Sequence, residues 1–559
     1  MTSFQYFSSE NGGLRCRSGL LVIKECCSLS QNRDRSARDA SISLLNSKRN
    51  QTSECSTYNS VSGGNIPIKT PSISIPTFKG FPLYILPHVG LEKDEVSTLI
   101  PELDYLLMGF GINKESSSLR VNEGKEENLT IEFDSEVSLS NHQGFGYIEQ
   151  PKPQMANKGY VMYMMFNQPM YEGGISSWNG PEDVVIRTEG GRTNINCRDI
   201  LSCVEEYQPV FYVSPAEESN AGSYGKNISF RSIYKANNLL LKLLKYNVES
   251  SNTSDIKKIG ENRAKILVNI QGAHFKNYRG AASLGVWDLC KGQGKGLENV
   301  QFVRESGLPK LINESLEQSQ TAKLYDDIIL GVAIGGLGHE EDTPTRAECI
   351  EEVLNHLPPD KLRFISLHIG SPIEILQAIY LGIDIVECPY VYKSSLCGIA
   401  LTFNLDDFWI NKEKINYNSV ERGSVEKFLL KYDFSSPDLL SSNEPKCFGG
   451  AKFINLSDRK YSCDMEKITY NSPVRYSRSY VHHLINSREI LGLSLLFMHN
   501  YWQYQSLLSS IRKAINSGCF YDFTTWFVHT QTDSNIHPIW LPKAKSTTYT
   551  YDGMDGSIQ

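Results

Sequence analysis

The chain has 559 residues, of which 40% are hydrophobic and 10% aromatic, and this composition excludes wholesale disorder because it can bury a large core. Its formal net charge is −7. Because RNA affinity depends mainly on neutralising phosphates, we expect any RNA contact to be local or shared with a partner. Thirteen irregularly spaced cysteines, the absence of a CxxC motif and a polar N-terminus predict free thiols in a reducing compartment. The sequence contains no apolar run of roughly 18 residues, which predicts no membrane-spanning segment.

The N-terminal segment, residues 1–75, contains a short apolar patch followed by a Ser-, Asn- and Arg-rich insert with little periodicity. This composition predicts a disordered loop, which is either a solvated segment without a role or an RNA-touching arm. Two further polar inserts, near 113–143 and 405–446, predict surface segments. The tail, 521–559, shows no pattern that we can interpret.

Short β-rich runs alternate with helical patterns between residues 326 and 403. The runs IILGVAI, RFISLHI and DIVECPY are separated by RAECIEEVLNHL and PIEILQAIYLG, an alternation typical of βαβ units in a parallel sheet. Gly382 is placed to end the second helix in a left-handed cap. Parallel sheets carry their functional residues at the carboxyl ends of the strands, which here hold Gly335, Gly336, Gly370 and Glu387.

Two strand ends have the residue types of a ligand pocket. Paired glycines such as Gly335 and Gly336 let backbone N–H groups approach a ligand, and Gln271 and Gly272 end another strand, ILVNIQG. An ordinary strand-to-loop turn is the alternative for the second pair. The paired glycines are followed by His339, Glu340 and Glu341, which could be acid/base groups or metal ligands. A solvated, acidic helix entry is the favoured interpretation.

The segments GVAIGGLGHEE and LPPDKLRFISLHIGSPIEILQAIYLGIDIVE resemble two motifs of the tRNA-guanine transglycosylase family, which exchanges a guanine base in an anticodon. The resemblance implies an α/β fold, a (β/α)8 TIM barrel over 76–452 with polar insertions. It also implies an appended C-terminal helical subdomain over 453–520. By the same resemblance, Gln271, Gly335 and Gly336 are the remnant of the base pocket.

The chain departs from the catalytic members of that family at the residues that carry the chemistry. Glu387 occupies the position of the nucleophilic aspartate, and the added methylene moves the carboxylate by roughly an ångström. We find no DSGG motif, and Ala273 replaces a glycine of the base-binding turn. In place of the family's Thr-Arg-x-x-Arg-Asn-Gly loop the chain has Lys393, Leu396 and Cys397 at the two arginines and the asparagine. These changes favour a non-catalytic member, similar to the family's accessory subunits, so we expect no catalytic residue.

The resemblance also implies a zinc site in the C-terminal subdomain, with three cysteines and one histidine as ligands. His499 fits the histidine position, but Ile468, Tyr470 and Pro473 occupy the cysteine positions. Because a structural zinc site needs four N or S donors, we expect no zinc and no other cofactor. Helix packing would then take over the structural role of the metal.

Residues 457–520 contain eight Lys or Arg against four Asp or Glu. This local excess makes Arg475 and Arg478, together with Lys393, candidates for RNA binding, whereas an ordinary solvated face is the alternative. The same helices resemble the dimer-forming part of the family.

The sequence as a whole favours a non-catalytic subunit of a heterodimeric queuine tRNA-ribosyltransferase. The resemblance implies a catalytic partner subunit and tRNAs for Asp, Asn, His and Tyr, in which guanine is exchanged for queuine at the wobble position. It further implies a cytoplasmic protein, or one peripheral at the mitochondrial outer membrane. Two alternatives stay open: an active transglycosylase that uses Glu387 as nucleophile, and a barrel scaffold that has left tRNA modification.

Overall fold

The structure is a computed structural model that describes residues 2–7, 16–24, 65–78, 81–82, 106–111, 160–165, 184–188, 191–207, 209–216, 225–249, 264–291, 325–337, 341–367, 370–411, 426, 429–431, 450–533 and 536. Most of the Ser-rich insert, the insert near 113–143 and most of 405–446 lie outside these ranges. His339 and Glu340 also lie outside the described residues.

The described strands, in chain order, are β1 (Thr2–Phe7), β2 (Ser18–Lys24), β3 (Asn65–Thr70), β4 (Ser72–Phe78), β5 (Phe81–Pro82), β6 (Leu106–Gly111), β7 (Tyr160–Met165), β8 (Val184–Thr188), β9 (Gly191–Ile195), β10 (Phe211–Val213), β11 (Lys265–Ile270), β12 (Ile329–Ile334), β13 (Leu362–Ser366), β14 (Ile385–Glu387), β15 (Ile399–Leu401), β16 (Gly450–Ala451), β17 (Phe453–Asn455) and β18 (Thr532–Asp533). The described α-helices are α1 (Cys197–Tyr207), α2 (Lys226–Glu249), α3 (Lys276–Lys291), α4 (Thr343–Asn355), α5 (Pro372–Leu381), α6 (Tyr390–Leu396), α7 (Asp406–Asn411), α8 (Arg478–Asn486), α9 (Ile490–Asn516) and α10 (Phe520–Thr530).

A curled parallel sheet forms the centre of the fold. Its strands pair in the order β4, β6, β7, β10, β11, β12, β13 and β14, and β14 also pairs in parallel with β4. The prediction of an α/β fold is confirmed to this extent: the sheet is curled and parallel, and it is consistent with a (β/α) fold. The complete set of eight helices stays a prediction, because the segments between β4 and β7 lie largely outside the described residues. The first parallel strand begins at Ser72, four residues before the predicted boundary at 76.

Alternating side chains give the sheet two apolar faces. On β13 and β14, Leu362, Phe364 and Ile385 belong to an inner cluster together with Tyr163 and Leu267. Their neighbours along the strands belong to the larger outer cluster, against which the helices pack: Ile365, Val386, Val332 and Val268. Because side chains alternate along a strand, each parallel strand has one position that packs inside for every position that packs against a helix.

The helices that follow β12 and β13 begin and end at recognisable sequence signals. Asp342 caps α4 by accepting a hydrogen bond from the backbone N–H of Thr345, and Ser371 forms a reciprocal capping box with Glu374 at the start of α5. Gly382 ends α5 in the left-handed conformation, with φ of 100°, as the sequence predicts. These caps set where each helix leaves the carboxyl end of its strand and returns to the next one.

An antiparallel sheet of β1, β2 and β3 lies at the amino ends of the parallel strands. Leu21 and Ile68 from this sheet join the inner cluster with Leu330 and Ile385, which stand at or next to the starts of β12 and β14. The N-terminal segment, predicted chiefly as a loop, therefore supplies three strands that cover one end of the sheet's interior.

The C-terminal helices share their apolar residues between two cores. The long helix α9 contributes Leu507, Leu508 and Ile511 to the outer cluster of the sheet, and Leu495 and Leu496 to a smaller cluster with residues of α8. Helix α10, which lies in the stretch that the sequence left without interpretation, buries Phe520, Phe523, Trp526 and Phe527 in the outer cluster. The helical subdomain over 453–520 stays a prediction as a separate unit, since α9 packs against both cores.

The helices in the described ranges include none that is long and apolar enough to cross a membrane.

A buried ion pair fixes the amino end of β14. Arg17 donates through Nε to Asp384 Oδ1 at 2.8 Å and through Nη2 to the backbone oxygen of Lys361 at 2.7 Å. The second carboxylate oxygen of Asp384 accepts from the backbone N–H of Arg363 at 2.8 Å. Both charged side chains are buried, so this ion pair joins the loop before β2 to the turns that precede β13 and β14.

We predict that Asp384→Asn lowers the free energy of unfolding by about 3–5 kcal/mol, because it leaves the buried guanidinium of Arg17 without its counter-charge. Urea denaturation measured by circular dichroism would test this. The control is Glu348→Gln, which removes the exposed ion pair with Lys276 and should leave the unfolding midpoint unchanged. A shift for Asp384→Asn no larger than that of the control would contradict the prediction.

Candidate functional site

The candidate site lies at the carboxyl ends of the parallel strands, on their inner face. Along β14, Ile385 packs in the inner cluster and Val386 in the outer one, so the alternation directs Glu387 inward. The parallel pairing places Glu387 opposite Ser366 of β13 and opposite Ser74 of β4. Three adjacent strands therefore contribute polar side chains to one level of the interior.

Both carboxylate oxygens of Glu387 accept hydrogen bonds from this level. Ser366 donates from Oγ to Oε2 at 2.6 Å, and Tyr163 donates from its hydroxyl to Oε1 at 3.3 Å. The Tyr163 hydroxyl also lies 2.9 Å from Ser74 Oγ. Glu387 is fully buried, so these contacts replace the water that a carboxylate would otherwise bind.

Tyr163 is kept in its phenol form. Burial raises the pKa of Tyr163 well above its ordinary value, and the negative charge of Glu387 raises it further. The ring stacks on Phe211, with centroids 5.0 Å apart, and meets Phe364 edge-on at 5.4 Å. An aromatic shelf therefore fixes a neutral hydroxyl donor beside the carboxylate.

Gln271 ends the run of inward positions on β11 that begins with Leu267 and continues with Asn269. Its Nε2 donates to Asn269 Oδ1 at 2.8 Å. Its Oε1 is buried and has no hydrogen-bond partner among the described residues. An unpaired buried carbonyl is costly, and such a group is a natural acceptor for a ligand donor.

The turn after β12 lies next to the turn after β11. Gly335 donates its backbone N–H to the oxygen of Ile270 at 3.2 Å, and Gly336 has a φ of 67°, which favours glycine. In the other turn, Ala273 also has a positive φ, 47°, and is fully buried. The structure thus brings Gln271 and the two glycines together on neighbouring strands, and their role in a base pocket stays a prediction.

The acidic residue Glu341 after this turn is part of a buried ion cluster. Arg346 donates to Glu341 Oε1 at 2.8 Å and to Glu374 Oε1 at 2.6 Å. The two carboxylates raise the pKa of Arg346, which burial alone would lower. Glu341 is therefore buried instead of solvated, and through Arg346 it joins the entry of α4 to the capping box of α5.

The three candidates for RNA binding differ in their surroundings. Arg475 is exposed, and Lys393 is half-buried in the last turn of α6. Arg478 is paired with two carboxylates, with Nη1 3.1 Å from Asp464 Oδ2 and 3.0 Å from Glu466 Oε2. Since these acids already balance the charge of Arg478, Arg475 is the better candidate for a phosphate contact. RNA binding by any of the three stays a prediction.

His499, which the resemblance in sequence assigns to the family's histidine ligand, is engaged by the protein through both ring nitrogens. Nδ1 is 2.9 Å from Ser472 Oγ, and Nε2 is 2.8 Å from the backbone oxygen of Leu401. A carbonyl can only accept, so Nε2 carries the proton and Nδ1 accepts from Ser472. Ile468, at one of the cysteine positions, packs in the small C-terminal core. The described residues include no group of three or more His, Cys, Asp or Glu arranged to hold a metal ion.

Sequence reasoning missed the residues that hold Glu387 and the two turns. Ser366, Tyr163 and Ser74 are ordinary strand residues in the sequence, and Arg279 lies within an unremarked helix. The signal in the sequence is that side chains alternate between the two faces of a strand. Counting in steps of two from Glu387 or Gln271, and then across to the neighbouring strands, identifies which polar residues face inward.

The neutral state of His499 gives a pH prediction. Burial lowers its pKa from the ordinary 6.5 to about 4, although the Leu401 carbonyl acts in the opposite direction. Between these two values the unfolded chain binds a proton that the folded chain does not, so stability is lost as pH falls through this window. The loss should reach about 3 kcal/mol. We expect His499→Gln to reduce the difference between unfolding free energies measured by urea at pH 7 and near pH 4.5; equal differences in both proteins would contradict this.

Known proteins are similar to this chain in sequence. A family model described as Queuine tRNA-ribosyltransferase matches residues 308–533. A "Queuine tRNA-ribosyltransferase-like protein" of Plasmodium falciparum is 33% identical over 243 residues, which are 42% of this chain and 95% of that protein. A protein of the same name from Plasmodium falciparum isolate 3D7 has the same identity over 56% of its length. A "Queuine tRNA-ribosyltransferase" of Francisella tularensis subsp. novicida is 27% identical over 47% of its length. The match to nearly the whole of the first relative shows that the chain belongs to the queuine tRNA-ribosyltransferase family.

Proposed function

We propose that this chain is the non-catalytic subunit of a heterodimeric queuine tRNA-ribosyltransferase. It binds a catalytic paralogue and supports the exchange of guanine for queuine at the wobble position of tRNAs for Asp, Asn, His and Tyr. The observation that carries this proposal is the state of Glu387, whose two carboxylate oxygens both accept hydrogen bonds inside the sheet.

A carboxylate nucleophile needs an oxygen lone pair directed at the sugar carbon and a position accurate to well under an ångström. The hydroxyls of Ser366 and Tyr163 each donate one hydrogen bond to the carboxylate of Glu387 and so fix its orientation inside the sheet. Leu396, in place of an arginine, removes a guanidinium that could bind phosphate or a guanine edge. These features support loss of the transfer step with retention of the scaffold.

An active transglycosylase is the second candidate, and the position of Glu387 favours it. The carboxylate stands at the carboxyl end of a parallel strand, where enzymes of this architecture carry their catalytic residues. In that mechanism Glu387 would attack the ribose anomeric carbon, expel guanine, and be released by the incoming base.

The proposed setting is the cytoplasm, with a peripheral location at the mitochondrial outer membrane as the alternative. The cysteines in the described ranges are free thiols, which supports a reducing compartment. The partner we propose is a chain with the DSGG motif and the nucleophilic aspartate that this sequence lacks. Arg475 would lie on the face that meets tRNA in the complex.

The test of function is an incorporation assay with three samples: this chain alone, the catalytic paralogue alone, and the two mixed. We expect labelled guanine or queuine to enter tRNA chiefly with the mixture, because each chain supplies what the other lacks. Glu387→Gln in this chain should leave the rate of the mixture unchanged. Exchange by this chain alone, abolished in Glu387→Gln, would overturn the proposal and establish the second candidate.

We further propose that the chain holds no zinc and that the hydrogen bond between His499 and Ser472 replaces the metal link between α9 and the segment from Ile468 to Pro473. Dialysis of the isolated chain against a chelator should then leave its thermal midpoint unchanged. Metal analysis should give far less than one zinc per chain. A matched chelator experiment on a family member that has the three cysteines should lower the midpoint. Stoichiometric zinc in this chain would contradict the proposal.

A further inference from the structure

One buried guanidinium connects the two turns of the candidate pocket. Arg279, in the first turn of α3, is fully buried and is the largest such side chain in the described part of the protein. Its Nε donates to the backbone oxygen of Ala273 at 2.6 Å, and Nη2 donates to the oxygen of Gly335 at 3.1 Å. Nη1 donates to the oxygen of Ile270 at 3.3 Å. The first and last of these oxygens belong to β11 and its turn, whereas Gly335 belongs to the turn after β12.

The fork of Arg279 therefore has a geometric consequence. A guanidinium is planar and presents its donors at fixed angles, so binding carbonyls from both turns fixes their separation. The direct bond from Gly335 N–H to the oxygen of Ile270, at 3.2 Å, closes the same link through the backbone. Neither turn can shift along its strand without breaking at least one of these bonds.

Gly272 has no Cβ, and this leaves space for the aliphatic part of the Arg279 side chain. A Cβ at this position would lie 2.7 Å from Arg279 Cγ and 3.1 Å from its backbone nitrogen, and the φ of Gly272 is 150°. The neighbouring Ala273 keeps its left-handed conformation while its carbonyl oxygen accepts from Arg279 Nε. The turn and the arginine thus depend on each other: the glycine makes room, and the guanidinium holds the turn in the shape that results.

Gln271 stands directly before this turn and has a free acceptor. Its Oε1 is buried without a partner among the described residues, while its amide nitrogen is held by Asn269. The orientation of Gln271 relative to the Gly336 turn is set by the same bonds that Arg279 makes. A ligand that donates to Oε1 would therefore lie against the turns at Gln271 and Gly336. Arg279 fixes the relative position of these two turns without contacting the ligand.

We propose that Arg279 is a positioning residue for a heterocyclic-base pocket at the carboxyl ends of β11 and β12. It fixes the backbone on both sides of Gln271 and the turn at Gly335 and Gly336 as one wall, against which a planar base with N–H donors, such as guanine, binds. The proposal rests on the proposed function, because it takes the ligand class from the reaction of the family. It adds that the accessory chain itself binds the base, with Arg279 acting through Gln271.

A double-mutant cycle tests this on the full chain, with guanine as the probe in equilibrium dialysis. We expect Arg279→Lys to raise the guanine Kd about tenfold, because lysine cannot bridge the two turns, and Gln271→Ala to raise it about tenfold. The double variant should also raise the guanine Kd about tenfold, because Arg279 has no effect on binding once the carboxamide is removed. Hydrogen exchange at residues 271–273 and 335–337 should be faster in Arg279→Lys.

A matched control is Arg363→Lys at the opposite ends of the strands, where Arg363 Nη1 donates to the oxygen of Gly382 at 3.1 Å. This variant should leave the guanine Kd unchanged even if it lowers the thermal midpoint. Gly272→Ala, which displaces the stem of Arg279, is the second variant should Arg279→Lys fail to fold, and it should reproduce the loss of affinity.

Three results would overturn the inference: hundredfold weakening in the double variant, an equal loss of affinity in Arg363→Lys, or no guanine binding by the unaltered chain. The last would remove the base pocket while leaving the accessory role to be decided by the incorporation assay. Conversely, a mixture no more active than the catalytic paralogue alone, with guanine binding intact, would reject the accessory role and leave the role of Arg279 standing.

Discussion

The register of β14 between β13 and β4 is the constraint on which the candidate site depends. Because Glu387 is paired with Ser366 on one side and Ser74 on the other, a slip of one residue would turn the carboxylate to the helix side of the sheet. The opposite end of the same short strand is fixed by the buried pair of Arg17 and Asp384. A strand of three residues has few backbone hydrogen bonds of its own. Side-chain anchors at its start and neighbours on both sides therefore determine where its last residue lies.

The C-terminal helices support this strand from outside. Tyr504 of α9 donates a hydrogen bond from its hydroxyl to the backbone oxygen of Gly370 at 2.9 Å. Gly370 has a φ of 69°, and a Cβ added there would lie only 3.2 Å from Cys388 Cα. Asn500, one turn earlier, donates to the oxygen of Ile399 at 2.8 Å and accepts from the backbone N–H of Leu401 at 3.0 Å. With His499 bonded to the oxygen of Leu401, successive residues of α9 hold β15 and the loop beside Glu387. Hydrogen bonds of uncharged side chains thus make the link between helix and sheet at this point.

The sequence predicted the parts of the fold that repeat and missed those that depend on distant contacts. The alternation of β-rich and helical runs located β12, β13 and β14, and the glycine cap of α5 was visible in Gly382. The pairing of β2 with β3 was missed because some forty residues of polar chain separate the two strands. Helix α10 was missed although Phe520, Phe523 and Phe527 follow helical spacing.

In the candidate site, the motifs indicated Glu387, Gln271 and the paired glycines, but not Arg279 or Tyr163. A single buried polar residue has no local pattern, because its role depends on what the fold places opposite it.

The two halves of the candidate site differ in how their polar groups are satisfied. On β14 the carboxylate of Glu387 is held by two hydroxyl donors, one of them on a tyrosine that burial keeps neutral. On β11 the carboxamide of Gln271 has one end held and its oxygen unpaired. The carboxylate of Glu387 has a donor on each oxygen, whereas an unpaired buried acceptor gains free energy when a donor arrives. The carboxyl ends of these strands therefore carry an unpaired acceptor on one side and a carboxylate with two donors on the other, as the proposed accessory role requires. That combination suits a subunit that contributes recognition to a complex in which another chain performs the transfer.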